Sequence, residues 1–211
     1  MKKPILALPR NSLFTTNEFQ GFQSHQIFDY GSIILDPSNR ADYQERESVE
    51  QDPLWKQPIP YVVVINPRTQ QVYAYQRNVK DAHYTEKRLQ GKWSLGVGGH
   101  VEHVDNHSTN PLYECALREV TEEIKGIEET ISPRLFGYIN DDADPVGQVH
   151  FGLVYVLETD SLDVRPRDQE MMSGRLHSIE ELDEIVASAE HEVEGWSSII
   201  WPFVRERVLK P

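Results

Sequence analysis

Three glutamates, Glu119, Glu122 and Glu123, stand at a spacing that could hold a metal ion. The surrounding residues predict a helix, because Asn110 suits an N-cap and Pro111 suits the first helical position. At about 100° per residue, the three carboxylates share one stripe of that helix. Like charges so close repel one another, and a divalent cation with hard oxygen ligands would relieve the repulsion. The pattern predicts either a metal site or a solvated acidic face.

The predicted helix is amphipathic and ends at Gly126. The stripe beside the carboxylates is apolar and should pack against a sheet; it contains Tyr113, Ala116, Leu117, Val120, Ile124 and Ile127. Cys115 lies near the carboxylates, where a small buried side chain is a better interpretation than a nucleophile.

A glycine-rich segment with Gly96, Gly98 and Gly99 lies upstream of the helix. Because Trp93 and Leu95 are apolar, the segment predicts a strand that ends in a loop where backbone approaches a ligand closely. Trp93 itself has two interpretations, a ring that stacks on a base and a core tryptophan.

These two segments together resemble the box of the Nudix hydrolases, G-x5-E-x7-R-E-U-x-E-E-x-G-U, where U is aliphatic. Gly99 matches the first glycine, residues 118–123 match R-E-U-x-E-E, and residues 98–102 read G-G-H-V-E. The sequence departs from the box in two places. Between Gly99 and Arg118 the family has 13 residues and this chain has 18, so Asp105 or Asn110 takes the place of the first motif glutamate. The closing glycine also comes one residue late.

The resemblance implies a fold and a metal site. The fold would be α/β, a Nudix-type α/β/α sandwich with a mixed β-sheet. Mg²⁺ or Mn²⁺ would be held by Glu119, Glu122, Glu123 and the carbonyl of Gly99. Glu119, Glu122 and Arg118 would be the catalytic residues, with Arg118 orienting the carboxylates; a structural ion pair is the alternative role for Arg118.

The implied reaction is hydrolysis of a phosphoanhydride bond in a nucleoside di- or triphosphate or a nucleoside diphosphate derivative. The partner is then a small phosphorylated substrate, expected to be a nucleotide. Trp93, Arg88 and Glu102 are the candidate substrate-binding residues. Arg88 lies in a basic segment, residues 78–92, for which a solvated loop is the alternative.

Two other functions stay open. The first is an isomerase of prenyl diphosphates, since some such isomerases share the Nudix fold, although Cys115 does not stand in that family's motifs. The second is a non-catalytic nucleotide-sensing module, against which the retention of all three glutamates speaks.

Composition excludes several classes of partner. With a net charge of −13 and a pI near 5.0, the chain is a poor match for a nucleic acid polymer, whose phosphates are bound by Lys and Arg. No apolar run is long enough to span a membrane. A single cysteine excludes an internal disulfide and suits a reducing compartment. We therefore predict a cytoplasmic protein.

The 211 residues predict one domain with an extension. Residues 1–59 would be an N-terminal extension packed on the core, and residues 60–211 the Nudix hydrolase domain. The extension could serve homodimer contacts, cover the substrate pocket or be structural padding. The sequence predicts strands over residues 5–8, 32–35, 61–65, 72–77, 132–139, 148–157 and 171–177, and helices over residues 178–189 and 197–209. Pro202 is tolerable in the last helix only if it sits in the first turn.

Overall fold

The computed structural model describes residues 3–77, 89–127, 132–167 and 171–209. The fold is mixed α/β, with a large mixed sheet and several helices, which confirms the predicted class. The strands are β1 (Ile5–Pro9), β2 (Gly21–Ser24), β3 (Asp42–Gln44), β4 (Trp55–Asn66), β5 (Gln71–Arg77), β6 (Trp93–Ser94), β7 (Val97–Gly98), β8 (Ile124–Lys125), β9 (Arg134–Asn140), β10 (His150–Glu158), β11 (Arg165–Pro166) and β12 (Met171–Ser178). The helices are α1 (Arg10–Leu13), α2 (Tyr30–Leu35), α3 (Arg46–Val49), α4 (Pro111–Glu123), α5 (Pro145–Val149), α6 (Ile179–Ala187) and α7 (Gly195–Leu209), with 3₁₀ turns at Pro37–Asn39 and His103–Asp105.

The chain forms two compact units. The first contains Met1–Tyr61, Gly98–Arg118 and Arg134–Tyr155, and the second contains Val62–Val97, Glu119–Pro133 and Val156–Pro211. The division at residue 59 into an extension and a domain stays a prediction. Within the described residues, no helix is long and apolar enough to cross a membrane.

Antiparallel pairs and an aromatic cluster build the first unit. β1 pairs with β3 and, at Leu8 opposite Lys56, with the start of β4, while β2 pairs with β9. Tyr30, Tyr138 and Phe151 are fully buried and pack ring against ring. Because aromatic rings bury large apolar areas, this cluster is a major part of the core of the unit.

In the second unit, β5 lies between the end of β4 and β12, and it also pairs with β6. The side chains of Ser178 and Glu181 form the predicted capping box at the start of α6. Helix α7 contributes Ile200, Trp201, Val204 and Val208 to the core.

Two local predictions are wrong. Residues 32–35 belong to helix α2, not to a strand, because the Asp29 carboxylate accepts a hydrogen bond from the Ser32 backbone N–H and caps the helix. Pro202 lies in the interior of α7, since the helix already begins at Gly195. Trp201 and Val204, on either side of Pro202, are buried and stabilise the helix there, although proline donates no backbone hydrogen bond.

Candidate active site

Helix α4 begins where the sequence predicts it. The Asn110 side chain accepts a hydrogen bond from the Tyr113 N–H at 3.1 Å, and Pro111 is the first helical residue. The helix ends at Glu123, three residues before Gly126, because Ile124 and Lys125 pair with β11 instead. Gly126 has φ +88°, and a Cβ there would lie 1.9 Å from the Asp163 carbonyl oxygen, so the position needs glycine.

The buried face of α4 is rotated from the predicted stripe. Tyr113 and Leu117 are half-buried, whereas Ala116, Val120 and Ile124 are buried as predicted. The buried face also includes Leu112, Cys115 and Glu119. The periodicity of the sequence shows only how apolar each side chain is. It could not show that the backbone of the glycine loop packs against the face of α4 that carries Cys115.

The three glutamates therefore differ in exposure. Glu119 is 8% exposed, Glu123 is half-buried and Glu122 is exposed. They lie on the last turns of α4, inside the second unit. A purely solvated acidic face is a poor description of Glu119.

Arg118 is bound to Asp105 by two hydrogen bonds. Its Nε and Nη2 donate to the two carboxylate oxygens at 2.8 and 3.1 Å, and Nη2 also donates to the His100 carbonyl oxygen at 3.0 Å. Asp105 is 1% exposed and accepts a further bond from the Glu102 N–H. Asp105 thus partners the motif arginine, whereas Asn110 caps the helix.

The glycine loop approaches its neighbours through backbone. A Cβ on Gly98 would lie 2.1 Å from the Pro60 carbonyl oxygen. The Cys115 sulfur lies 3.6 Å from the Gly99 carbonyl oxygen and 3.5 Å from that of His100. Cys115 is fully buried, as predicted, and packs against the loop.

Sequence reasoning missed a histidine pair beside this loop. The His100 Nε2 atom lies 2.9 Å from Gln57 Oε1 and 3.2 Å from His150 Nε2, and His150 Nδ1 lies 2.7 Å from the Val146 carbonyl oxygen. Since that carbonyl can only accept, His150 carries its proton on Nδ1, and His100 donates from Nε2. Burial lowers the pKa of His100 well below its usual value, and His150 and Arg46 add to the effect. His100 is therefore neutral at pH 7.

A buried lysine was also missed. Lys56 is fully buried, and its Nζ donates to Asp142 Oδ1 at 2.9 Å and to the carbonyl oxygens of Gly147 and His150 at 2.9 and 3.2 Å. Arg10 binds the same aspartate. Lys56 stands at the start of a strand in a run of apolar and polar residues, and only its three-dimensional surroundings reveal that it is buried.

The three candidate substrate residues have different surroundings. Trp93 is 9% exposed and packs edge-on against His177 and His191, which favours the core interpretation. Glu102 is half-buried and binds Lys3 at 2.7 Å. Arg88 lies outside the described residues.

The chemistry of the donor set fits a hard divalent cation, since Glu119, Glu122 and Glu123 offer carboxylate oxygens from one helix. In the part of the chain that the structure describes, however, no three His, Cys, Asp or Glu side chains already form a group that could hold a metal. The metal ligands predicted from the sequence stay a prediction.

Comparison with known proteins identifies the family. The sequence profile of the NUDIX domain matches residues 55–197. This chain belongs to the Nudix family. It is 32% identical over 210 residues to protein YmaB of Bacillus subtilis (strain 168), a match that covers 95% of this chain and 96% of YmaB.

Solved structures agree with the family. The crystal structure of Tm1382, a candidate Nudix hydrolase, matches with a TM-score of 0.73 and 25% identity over 97% of this chain and 100% of Tm1382. The NUDIX domain of Shewanella oneidensis NrtR, solved with ADP ribose, shares the fold at a TM-score of 0.50 and 13% identity, over 72% of this chain and 87% of that domain. The protein is therefore a Nudix hydrolase, a class of enzymes that are generally metal-dependent pyrophosphohydrolases.

Proposed function

We propose that this Nudix hydrolase cleaves a phosphoanhydride bond in nucleoside di- or triphosphates, or in nucleoside diphosphate derivatives, and that it requires a divalent cation. The observation that carries the proposal is the end of α4. Arg118 is fixed by Asp105 at 2.8 Å, and the carboxylates of Glu119, Glu122 and Glu123 follow within five residues.

Glu119, Glu122, Glu123 and the Gly99 carbonyl would hold Mg²⁺ or Mn²⁺. When bound, the cation neutralises diphosphate oxygens and lowers the pKa of a water molecule. The glutamate side chain has three rotatable bonds, so the carboxylates at the end of α4 could turn toward a common cation.

The chain's own residues supply orientation and proton acceptance. Because Asp105 holds Arg118 from two oxygens, the guanidinium is fixed in one plane. Arg118 directly precedes Glu119 in α4, so the pairing would help to hold the end of the helix that carries Glu119 and Glu122. Glu122 is exposed, so a water molecule can reach its carboxylate. We propose Glu119 and Glu122 as the catalytic carboxylates and Arg118 as the residue that positions them.

The negative charge of the chain does not exclude a nucleotide substrate. With a net charge of −13, attraction of a phosphate group must be local, through bound cations and a few basic residues. The ADP ribose in the NrtR domain supports the nucleoside diphosphate derivatives within the proposed class. Arg88 and Glu102 remain the proposed substrate contacts, whereas the burial of Trp93 favours a role in the core. A cytoplasmic location is part of the proposal, in agreement with the single cysteine.

A phosphate- and pyrophosphate-release screen tests the proposal. The panel contains nucleoside di- and triphosphates, nucleotide sugars, ADP ribose, dinucleoside polyphosphates and prenyl diphosphates, each with Mg²⁺, with Mn²⁺ and with excess EDTA. We expect turnover of at least one nucleotide class with a cation and none in EDTA. Undiminished turnover in EDTA after metal-free preparation, or isomerisation of a prenyl diphosphate in place of hydrolysis, would overturn it.

A further inference from the structure

The segment that carries the first glycine of the Nudix box is paired with the N-terminal strand β1. The Leu6 N–H donates to the Val101 carbonyl oxygen at 2.8 Å, and Ile5 forms an antiparallel bridge with Glu102. The other edge of β1 pairs with β3, where Leu6 stands opposite Tyr43. Residues 101–102 are thus the third member of a small antiparallel arrangement whose other two members are β1 and β3.

A side chain of β3 and the side chain of Lys3, two residues before β1, contact the same loop. The Tyr43 ring is stacked on the His103 ring, with centroids 3.9 Å apart and planes 25° apart. The Lys3 ammonium binds the Glu102 carboxylate at 2.7 Å. The Tyr43 hydroxyl is buried and has no hydrogen-bond partner among the described residues. The contact with the loop is therefore made by the ring of Tyr43, not by its hydroxyl.

The loop that these strands hold leads directly into the candidate site. His103 and Asp105 form a single 3₁₀ turn, and Asp105 binds both Arg118 and the Glu102 N–H. A displacement at Glu102 or His103 would therefore be felt at Asp105, because the capping hydrogen bonds of this short turn join them. All of these residues lie within the first compact unit.

We infer that β1 and β3, which we call the N-terminal clamp (residues 5–9 and 42–44), fix the glycine loop in the conformation that the active site needs, with Tyr43 and Lys3 as positioning residues. The inference rests on the proposed function for its effect on turnover. Loop segments are mobile unless their backbone is paired, and a reacting group must be held to within a fraction of an ångström for full activity. The clamp supplies that pairing, which gives the N-terminal segment a role beyond padding.

The test compares Tyr43→Ala with Tyr43→Phe in the full chain. The first variant removes the ring from His103, and the second keeps the ring and removes only a hydroxyl without a partner. We expect amide hydrogen exchange at residues 99–105 to rise about fivefold in Tyr43→Ala, the size of effect that the loss of one aromatic pair produces. In Tyr43→Phe, exchange at these residues should stay within about twofold of wild type. The value of kcat/KM should also fall more in Tyr43→Ala than in Tyr43→Phe. Lys3→Ala, at an exposed position, is a second variant that leaves the core intact. We expect a smaller rise in amide hydrogen exchange at Glu102 in this variant.

Phe22→Ala is the matched control, since the Phe22 ring packs on Phe136 in the same unit. It should leave exchange at residues 99–105 unchanged. The inference about the clamp is wrong if amide hydrogen exchange at residues 99–105 is the same in Tyr43→Ala, Lys3→Ala and wild type. It is also wrong if Tyr43→Phe loses as much activity as Tyr43→Ala. Because hydrogen exchange does not depend on turnover, an enzyme that hydrolyses no nucleotide would overturn the proposed function and leave this readout valid.

Discussion

Arg118 and Asp105, thirteen residues apart in the chain, form a two-point ion pair at 2.8 and 3.1 Å. Asp105 is almost fully buried, whereas the Arg118 side chain keeps 20% of its surface exposed. The five extra residues in the glycine loop thus do not break the pairing of the motif arginine. Counted from Gly99, Asp105 stands at the interval where the family box has its first glutamate.

Asp105→Asn should destabilise the fold. The variant keeps the shape but leaves the guanidinium with a neutral partner in a buried place, so we expect a loss of about 2 kcal/mol in the free energy of unfolding. Urea denaturation measures it. The matched control is Asp160→Asn, since Asp160 pairs with Arg68 on the surface and should unfold like wild type. Equal unfolding curves for both variants would mean that the Arg118–Asp105 pair contributes nothing.

Glu122→Gln and Glu123→Gln should affect activity and stability in opposite directions. Each variant removes one negative charge from the end of α4, so the unfolding free energy without metal should stay level or rise by a few tenths of a kcal/mol. The value of kcat should fall by about a hundredfold or more if the glutamate is a metal ligand.

The control for this pair is Glu184→Gln, an exposed glutamate of α6, which should change neither quantity. Thermal melts without metal and initial rates on the best substrate provide the two readouts. A variant that melts at least as high as wild type and also keeps near-normal turnover removes that glutamate from the proposed ligand set.

Asp142 should stabilise the fold in a pH-dependent way. Burial raises the pKa of Asp142, but hydrogen bonds from Arg10, Lys56 and Gln20 outweigh that effect and lower the pKa far below its usual value. A carboxylate with a depressed pKa stabilises the fold above its unfolded pKa near 4 and loses this contribution as the pH falls toward the folded value. Asp142→Asn should therefore cost about 2 kcal/mol at pH 7, and the difference from wild type should shrink below pH ~4.

Lys56→Met is the informative companion to Asp142→Asn. It removes the buried charge itself, and Asp142 still has Arg10 and Gln20 as partners. Because an uncompensated buried charge is the larger penalty, Lys56→Met should destabilise less than Asp142→Asn at pH 7. Chemical denaturation at a series of pH values checks both. The reverse order, or a difference that grows in acid, would contradict the pairing.

Cys115 should be unreactive in the native protein. Its thiol is fully buried against the Gly99 and His100 carbonyl oxygens, and reagents reach only exposed thiols. We expect no reaction with a chromogenic disulfide reagent until denaturant is added, and then one thiol per chain. Free glutathione, treated in parallel, controls for the reagent. Rapid loss of activity on thiol modification of the folded enzyme would instead support a nucleophilic or site-exposed Cys115.

The sequence by itself determined the local features of the site. Asn110 and Pro111 define the start of α4, and Ser178 and Glu181 define the start of α6. The spacing of Glu119, Glu122 and Glu123 predicts a metal site. Each of these rests on interactions between residues at most four apart, such as caps and neighbouring turns, whose geometry the helix itself fixes.

The tertiary structure decided whatever depends on partners distant in the chain. Asp105 rather than Asn110 meets Arg118, Glu119 joins the buried face, and Lys56 is buried because Asp142, 86 residues away, accepts its hydrogen bond. Tyr43 reaches His103 through the pairing of β1. A local pattern records how apolar a residue is, but burial and charge pairing depend on which distant segments pack against it, and that is fixed only when the whole chain folds.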